Sequence, residues 1–186
     1  LFKMYQAFGH HFDFIAIPII KKRLRMDTSK VILDEARPKL TAHLAARFKQ
    51  KIGQNVNLLG EVVLGNGEAD HRYSHYLEAL EAPDINYISV KISGIYAQTH
   101  ALNYEESFPE LVKRMCALYQ KAIDFPYVDE NGVKRSKFVN LDMEEYKDAH
   151  FTLRLFKEVL SRPEFKNYSA GIVVQAYLPD AYEFQT

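Results

Sequence analysis

The sequence contains one cysteine, Cys116, and no tryptophan among its 186 residues. A single cysteine cannot form an internal disulfide, which excludes a disulfide-rich secreted scaffold and favours a reducing, cytoplasmic compartment. The chain also lacks an apolar run near the ~20 residues that cross a bilayer. The longest run near its start, residues 14–20, contains Pro18 and is followed by its basic residues, whereas a signal peptide has them in front.

Neither sign of charge is in surplus, because 24 Lys and Arg balance 24 Asp and Glu. A protein that binds nucleic acid by neutralising phosphates normally carries a basic excess, so we expect no nucleic-acid partner. Apolar residues make up 47% of the chain and charged residues 26%. These values are typical of globular proteins and exclude a disordered chain.

Residues 1–53 are predicted to form a helical N-terminal region. Apolar residues recur at three- and four-residue intervals between Ser29 and Lys51, which is the period of a helix face. Ser29 is predicted to cap the start of this stretch, and Gly53 its end. Pro38 lies in the middle, where it predicts a kink or a division into two helices.

Residues 54–186 are predicted to form an α/β region with parallel strands. Short apolar runs alternate here with amphipathic stretches, and segments rich in Pro, Gly, Asn and Asp separate them. This order favours βα units with right-handed crossovers. The predicted strands are residues 55–59, 87–92, 138–143 and 171–177, and the predicted helices are residues 68–81, 104–123 and 145–160.

Two of the predicted strands carry one polar face. Ser89, Lys91 and Ser93 alternate with apolar residues, and so do Asn140, Asp142 and Glu144. A strand covered by helices on both sides would be apolar on both faces, so the pattern indicates a barrel interior or a ligand cleft. An eight-unit barrel takes ~250 residues. We therefore expect an open four-stranded domain or the first half of a TIM-type (βα)8 barrel, and we favour the half-barrel.

Polar residues at the predicted carboxyl ends of these strands are the candidate site, because ligands bind there in parallel α/β folds. Lys91 could form a Schiff base or pair with an anionic substrate, or it could be an ordinary solvent-facing lysine. Glu61 follows Gly60 at the end of the first strand and would lie at the same rim, although a surface turn explains it nearly as well.

The carboxylates of residues 142–145 could bind a metal, act as a base or pair with a cation. A purely structural role at the start of the following helix would explain Glu145, but it explains Asp142 poorly. Gln175 is an amide among β-branched residues, and it must take hydrogen bonds from a ligand, from water or from the main chain. His71 and His75 are spaced as in zinc helices, but without a third ligand nearby we predict no metal site.

These strand ends resemble the proline dehydrogenase family, in particular the domain found in bacterial proline utilization A. Four motifs occur in the family's order across residues 55–186, and residues 3–52 are similar in kind to the helices before the barrel. The motifs, as they stand in this sequence, are NVNLLGE at residues 55–61, ISVKIS at 88–93, VNLDMEE at 139–145 and GIVVQAY at 171–177.

The resemblance implies a flavoenzyme that oxidises L-proline to 1-pyrroline-5-carboxylate with FAD and passes the electrons to a quinone. By motif, Lys91 matches the lysine that faces the substrate carboxylate, and Asp142 matches the acid beside flavin and substrate. Gln175 matches a glutamine that hydrogen-bonds the flavin. Glu61 matches an acid that gates the site by pairing with a substrate-binding arginine. A cytoplasmic protein with peripheral contact to the inner membrane is implied as well.

The later strands of the family are absent from these 186 residues, so we expect the segment alone to be inactive and to retain no FAD. Two other functions remain open on the residues alone. One is a metal-dependent or Schiff-base lyase on a similar barrel, centred on Lys91 or on the carboxylates of residues 142–145. The other is a noncatalytic α/β interaction module.

Overall fold

The structure, a computed structural model, describes residues 13–28, 32–33, 37–58, 65–97 and 103–185. The chain divides into two compact units, residues 1–50 and 51–186. The predicted domain boundary between residues 53 and 54 stays a prediction.

The described residues of the first unit include the helices α1 (Asp13–Thr28) and α2 (Arg37–Lys49). Pro38 is the second residue of α2, a position where no backbone N–H is needed and the fixed φ of proline suits the helix. Between Ser29 and Lys51 the described residues form one helix, so Pro38 begins this helix and does not kink or divide it as predicted. The predicted cap Ser29 lies outside the described residues. Gly53 does not end the helix as predicted, because α2 ends at Lys49 and Lys51 takes the left-handed conformation with φ 58°.

The second unit is built on four parallel strands, as the sequence predicts. Its sheet has the order β1 (Val56–Asn57), β2 (Tyr87–Lys91), β5 (Phe138–Asp142) and β6 (Gly171–Ile172). The central pair is in register over five residues, from Tyr87 beside Phe138 to Lys91 beside Asp142. Residues that are partners in this register point to the same face of the sheet.

The apolar face of the two central strands is the centre of the core. Ile88, Val90, Val139 and Leu141 are all at most 1% exposed. Three helices line this region, namely α3 (Asn66–Glu81), α5 (Tyr104–Asp124) and α6 (Ala149–Leu160). A fourth helix of one turn, α4 (Ile92–Ile95), follows β2 directly.

A small antiparallel hairpin, β3 (Tyr127–Val128) and β4 (Lys134–Arg135), occupies the predicted breaker before β5. Asp129 holds its turn, because its Oδ1 accepts hydrogen bonds from the backbone N–H groups of Asn131 and Val133, each at 2.9 Å. Gly132 has a φ of 77°, which favours glycine.

All four predicted strands and one predicted helix are shorter in the structure. The fourth strand ends at Ile172 instead of Tyr177, so Gln175 lies in the loop after it. The last long helix begins at Ala149, and a 3-10 turn at Tyr146–Asp148 precedes it. Among the helices of the described residues, none is long and apolar enough to span a membrane.

Candidate active site

The carboxyl end of the sheet brings together opposite charges from neighbouring strands. Lys91 is the last residue of β2 and Asp142 is the last residue of β5, and the two are partners in the parallel register. Both residues are partly exposed. Their side chains therefore lie next to each other on the polar face, which is the arrangement that the alternation in the sequence predicts.

Lys91 pairs with Glu144, although Asp142 is its register partner. The Lys91 Nζ lies 3.8 Å from the Glu144 Oε1. The other carboxylate oxygen of Glu144 accepts a hydrogen bond from the backbone N–H of Ser93 at 3.2 Å, in the first turn of α4. Glu144 therefore does not open the following helix, which starts only at Ala149. Sequence reasoning grouped Glu144 with its acidic neighbours and missed this pairing, which depends on the chain path between two strands.

Asp142 is held by two neutral amides. The Asn140 Nδ2 donates to its Oδ1 at 2.7 Å, and the Asn57 Nδ2 lies 3.4 Å from its Oδ2. Asn140 and Asp142 are two residues apart on one strand and so share a face. The alternation predicts that shared face, whereas the contact from Asn57 depends on the register of β1.

Buried polar groups continue the same face deeper in the sheet. Ser89 is 1% exposed and Asn140 is 6% exposed. The Ser89 Oγ accepts hydrogen bonds from the Asn55 Nδ2 at 2.7 Å and from the Asn140 Nδ2 at 3.4 Å. These residues were not singled out as functional from the sequence, although their place on the polar strand faces was the available signal.

Gln175 reaches the same end of the sheet from the loop after β6. Its Nε2 donates to the main-chain carbonyl of Glu144 at 3.3 Å and contacts that of Met143 at 3.5 Å. The main chain thus supplies partners for the donor end of this half-buried amide. Within the described part of the chain, the Gln175 Oε1 has no hydrogen-bond partner.

Tyr76 on α3 packs beneath the strand end. It is 1% exposed, and a Cβ added to Gly94 in α4 would lie 2.9 Å from its hydroxyl oxygen. Burial raises the pKa of Tyr76 to about 12, against the smaller opposing effect of Arg72. Tyr76 therefore supports the turn after Lys91 as a neutral phenol.

Three other candidate residues were named from the sequence, namely Glu61, His71 and His75. Glu61 lies outside the described residues. His71 and His75 contact each other edge to face, with ring centroids 4.2 Å apart. Across residues 13–28, 32–33, 37–58, 65–97 and 103–185, no group of three or more His, Cys, Asp or Glu side chains could hold a metal ion.

The site offers a cation, an anion and an amide oxygen at one edge of the sheet. Lys91 can bind a carboxylate. Among the described residues, the side chains that donate to Asp142 are the neutral amides of Asn57 and Asn140, so its charge can interact with a cationic group. Gln175 can accept a hydrogen bond from a ring N–H. Together, these three groups suit a small zwitterionic ligand that binds beside a heterocycle.

Comparisons with known proteins point to one family. A family model described as proline dehydrogenase matches residues 40–186. The structure of proline utilization A (PutA) from Corynebacterium freiburgense is 40% identical with a TM-score of 0.76, over 87% of this chain and 16% of that chain. PutA from Bdellovibrio bacteriovorus, inactivated by N-propargylglycine, is 31% identical with a TM-score of 0.74, over 89% of this chain and 19% of that chain. No curated protein matches this chain.

The chain spans less than one fifth of the length of these solved relatives. A mutant PutA from Bradyrhizobium japonicum, 23% identical with a TM-score of 0.58 over 70% of this chain and 14% of that chain, shows the shared fold. The four parallel strands with their helices correspond to part of the TIM-type barrel of these proteins, which confirms the predicted fold class. Because the family model covers residues 40–186 and the first relative is 40% identical, this chain belongs to the proline dehydrogenase family.

Proposed function

We propose that the protein oxidises L-proline to 1-pyrroline-5-carboxylate with FAD, and that this chain supplies part of the active site. Family membership supports the reaction. The observation that carries the proposal is the parallel register that sets Lys91 beside Asp142, with Gln175 held at the same strand end through the Glu144 carbonyl. A quinone accepts the electrons, so we place the protein in the cytoplasm with peripheral contact to the inner membrane.

The residues at the strand end fit a flavin chemically. Gln175 is oriented by its Nε2 and keeps Oε1 for a donor, as a flavin ring N–H requires. Asp142 is the last residue of β5, two positions before Glu144, whose carbonyl accepts the hydrogen bond from the Gln175 Nε2. We propose that Gln175 and Asp142 contact FAD, which supplies the acceptor for the hydride that leaves the ring carbon next to the proline nitrogen.

Lys91 and Asp142 interact with opposite charges of the zwitterionic substrate. Proline brings a carboxylate, and the Lys91 ammonium is the cation available to it at this rim. Lys91 is 38% exposed and its contact with Glu144 at 3.8 Å is long, so a substrate carboxylate can compete for it. The Asp142 charge then faces the substrate nitrogen and the cofactor. Glu61 is proposed to gate the site by pairing with a substrate-binding arginine when proline is absent.

The test uses the protein expressed from its complete gene. The purified protein should show a flavin absorbance spectrum, and L-proline should bleach that spectrum in the absence of oxygen. L-Proline should also drive the reduction of an added quinone by the protein. Lys91→Met should raise KM for proline roughly tenfold or more while kcat changes less, because it removes a charged contact to the substrate. Lys121→Met is the matched control, since Lys121 pairs with Glu81 on the outer helices.

A wild-type protein without flavin, or one that proline does not reduce, would contradict the proposed function. Equal kinetic constants for Lys91→Met and Lys121→Met would instead contradict the role of Lys91 alone. Trapping of a substrate on Lys91 by borohydride would favour the Schiff-base lyase.

A further inference from the structure

We infer that Asn140 is a positioning residue, and that it keeps the Asp142 carboxylate from pairing with Lys91. The two charged residues are register partners on adjacent strands, the arrangement in which opposite charges normally attract each other. Yet the Lys91 Nζ contacts Glu144, and Asp142 is contacted by amides. A restraint on Asp142 is therefore part of the site.

The geometry assigns that restraint mainly to Asn140. Its Nδ2 donates to the Asp142 Oδ1 at 2.7 Å, a shorter contact than the 3.4 Å from the Asn57 Nδ2. A hydrogen bond to a charged acceptor is stronger than one between neutral groups. Asn140 is 6% exposed in the middle of β5, so its amide has little freedom to turn away.

Gly171 leaves the space that the Asn140 amide occupies. The two residues are register partners on β5 and β6. A Cβ added to Gly171 would lie 2.6 Å from the Asn140 Oδ1 and 2.9 Å from ring carbons of Phe138. Any side chain at residue 171 would therefore push the amide that holds Asp142.

This arrangement keeps both charges available to a ligand. Glu144 and the Ser93 N–H form one end of the site around Lys91, and the amides form the other around Asp142. Without the amides, Asp142 would turn to Lys91 and the lysine would lose part of its capacity to bind a substrate carboxylate. The kinetic consequence rests on the proposed function, whereas the positions of the side chains do not.

The first test is structural and needs no activity. In crystals of the protein expressed from its complete gene, Asn140→Ala and Asn140→Asp should bring the Asp142 carboxylate within about 4 Å of the Lys91 Nζ. Asn140→Asp matches the native side chain in shape, so a residue that only fills space would tolerate it. An Asp142 that stays in place in both variants would overturn the inference.

The second test is kinetic. Both Asn140 variants should raise KM for proline roughly tenfold to a hundredfold, with a smaller change in kcat. Gly171→Ala should do the same if it folds, and the Asn140 variants keep the test decisive if it does not. Thr152→Ala is the control, because Thr152 is fully buried in α6, its hydroxyl has no hydrogen-bond partner among the residues that the structure describes, and it belongs to no part of the site.

The outcomes separate the inference from the proposed function. Displacement of Asp142 together with a raised KM supports the inference. Displacement with an unchanged KM overturns its functional part. A wild-type protein that does not oxidise proline overturns the proposed function, and the crystal structures of the variants then decide the inference by themselves.

Discussion

Gln175 shows how one side chain can be oriented by the main chain and remain available to a ligand. Its Nε2 lies near two carbonyls at the end of β5, while its Oε1 has no partner within the described ranges. Gln175→Leu keeps the approximate size of the side chain and removes both polar groups. We expect this variant to retain less FAD through purification, because the flavin loses an acceptor and the loop loses its anchor.

The measurement is the ratio of flavin to protein absorbance after gel filtration of the protein expressed from its complete gene. Gln120→Leu is the control, since Gln120 donates to Asp124 on the exposed side of α5. Full retention of flavin in the Gln175 variant would contradict the proposed contact.

The stability contribution of Tyr76 depends on pH. Burial raises its pKa to about 12 in the folded protein, whereas an unfolded tyrosine titrates near 10. Below pH ~10 the phenol is neutral in both the folded and the unfolded state, so its ionisation does not change the free energy of unfolding. Between pH ~10 and ~12 the unfolded state gains by losing its proton, so the free energy of unfolding falls by roughly 2 kcal/mol.

Tyr76→Phe should remove this part of the alkaline loss of stability. The free energy of unfolding is measured in urea at about pH 8 and about pH 11.5 for both proteins, so that any change at neutral pH is subtracted. Equal alkaline losses in the wild type and in Tyr76→Phe would contradict the assignment.

At the scale of elements, one side chain joins α5 to its neighbours. Arg114 forms an ion pair with Asp70 of α3 at 2.7 Å and donates to the Ile95 carbonyl of α4 at 2.9 Å. Its guanidinium also lies over the rings of Tyr73 and Tyr96, 5.1 and 5.5 Å from their centroids. The Arg114 side chain is 16% exposed, whereas that of Asp70 is 59% exposed, so the ion pair is partly open to water although the guanidinium is largely covered.

Arg114→Met should lower the free energy of unfolding by about 2 kcal/mol, because it removes the charged donor to the Ile95 carbonyl and to the carboxylates of Asp70 and Glu110. Arg114→Lys should recover only part of this loss, since an ammonium cannot reproduce the planar fork. Arg154→Met is the control and should change the urea midpoint little, because the Arg154–Glu105 pair lies on the surface. Equal urea midpoints for the Arg114 and Arg154 variants would contradict the proposal that Arg114 joins α5 to its neighbours.

The sequence predicts the secondary-structure elements and the side chains that share a strand face better than it predicts which side chains contact each other. Alternation along β2 and β5 indicates which side chains share a face, and the structure confirms that face. Which carboxylate pairs with Lys91 depends on the turn into α4 and on the amides beside Asp142. No local pattern encodes those contacts, since Asn57 and Asp142 are 85 positions apart.

Element ends are less predictable for the same reason. The run from Gly171 to Tyr177 is apolar enough for a longer strand, but pairing with β5 ends at Ile172 and the chain then turns. The hairpin of β3 and β4 falls in a segment that the sequence predicts only as a break between a helix and a strand. Its signal was the acceptor Asp129 three positions before Gly132, which is typical of a tight turn.

At the scale of the whole molecule, the open edges of the sheet decide how residues 1–186 should behave alone. β1 and β6 are the outer strands of the four-stranded sheet, and each has one neighbour within the described ranges. A closed barrel gives every strand two neighbours, and unpaired edges promote association with other chains. We therefore expect residues 1–186, expressed alone, to self-associate.

The same segment should also retain no FAD, whereas the protein expressed from its complete gene should. The residues proposed here to contact the cofactor are few, because the segment covers 16–19% of the solved relatives and a barrel ligand takes contacts from several strands. Light scattering and flavin absorbance of both proteins measure the two effects. Val173→Lys places a charge directly after the edge strand β6 and should reduce the self-association without restoring the flavin. A stable monomer of residues 1–186 with one bound flavin would show that four strands suffice, and it would contradict both predictions.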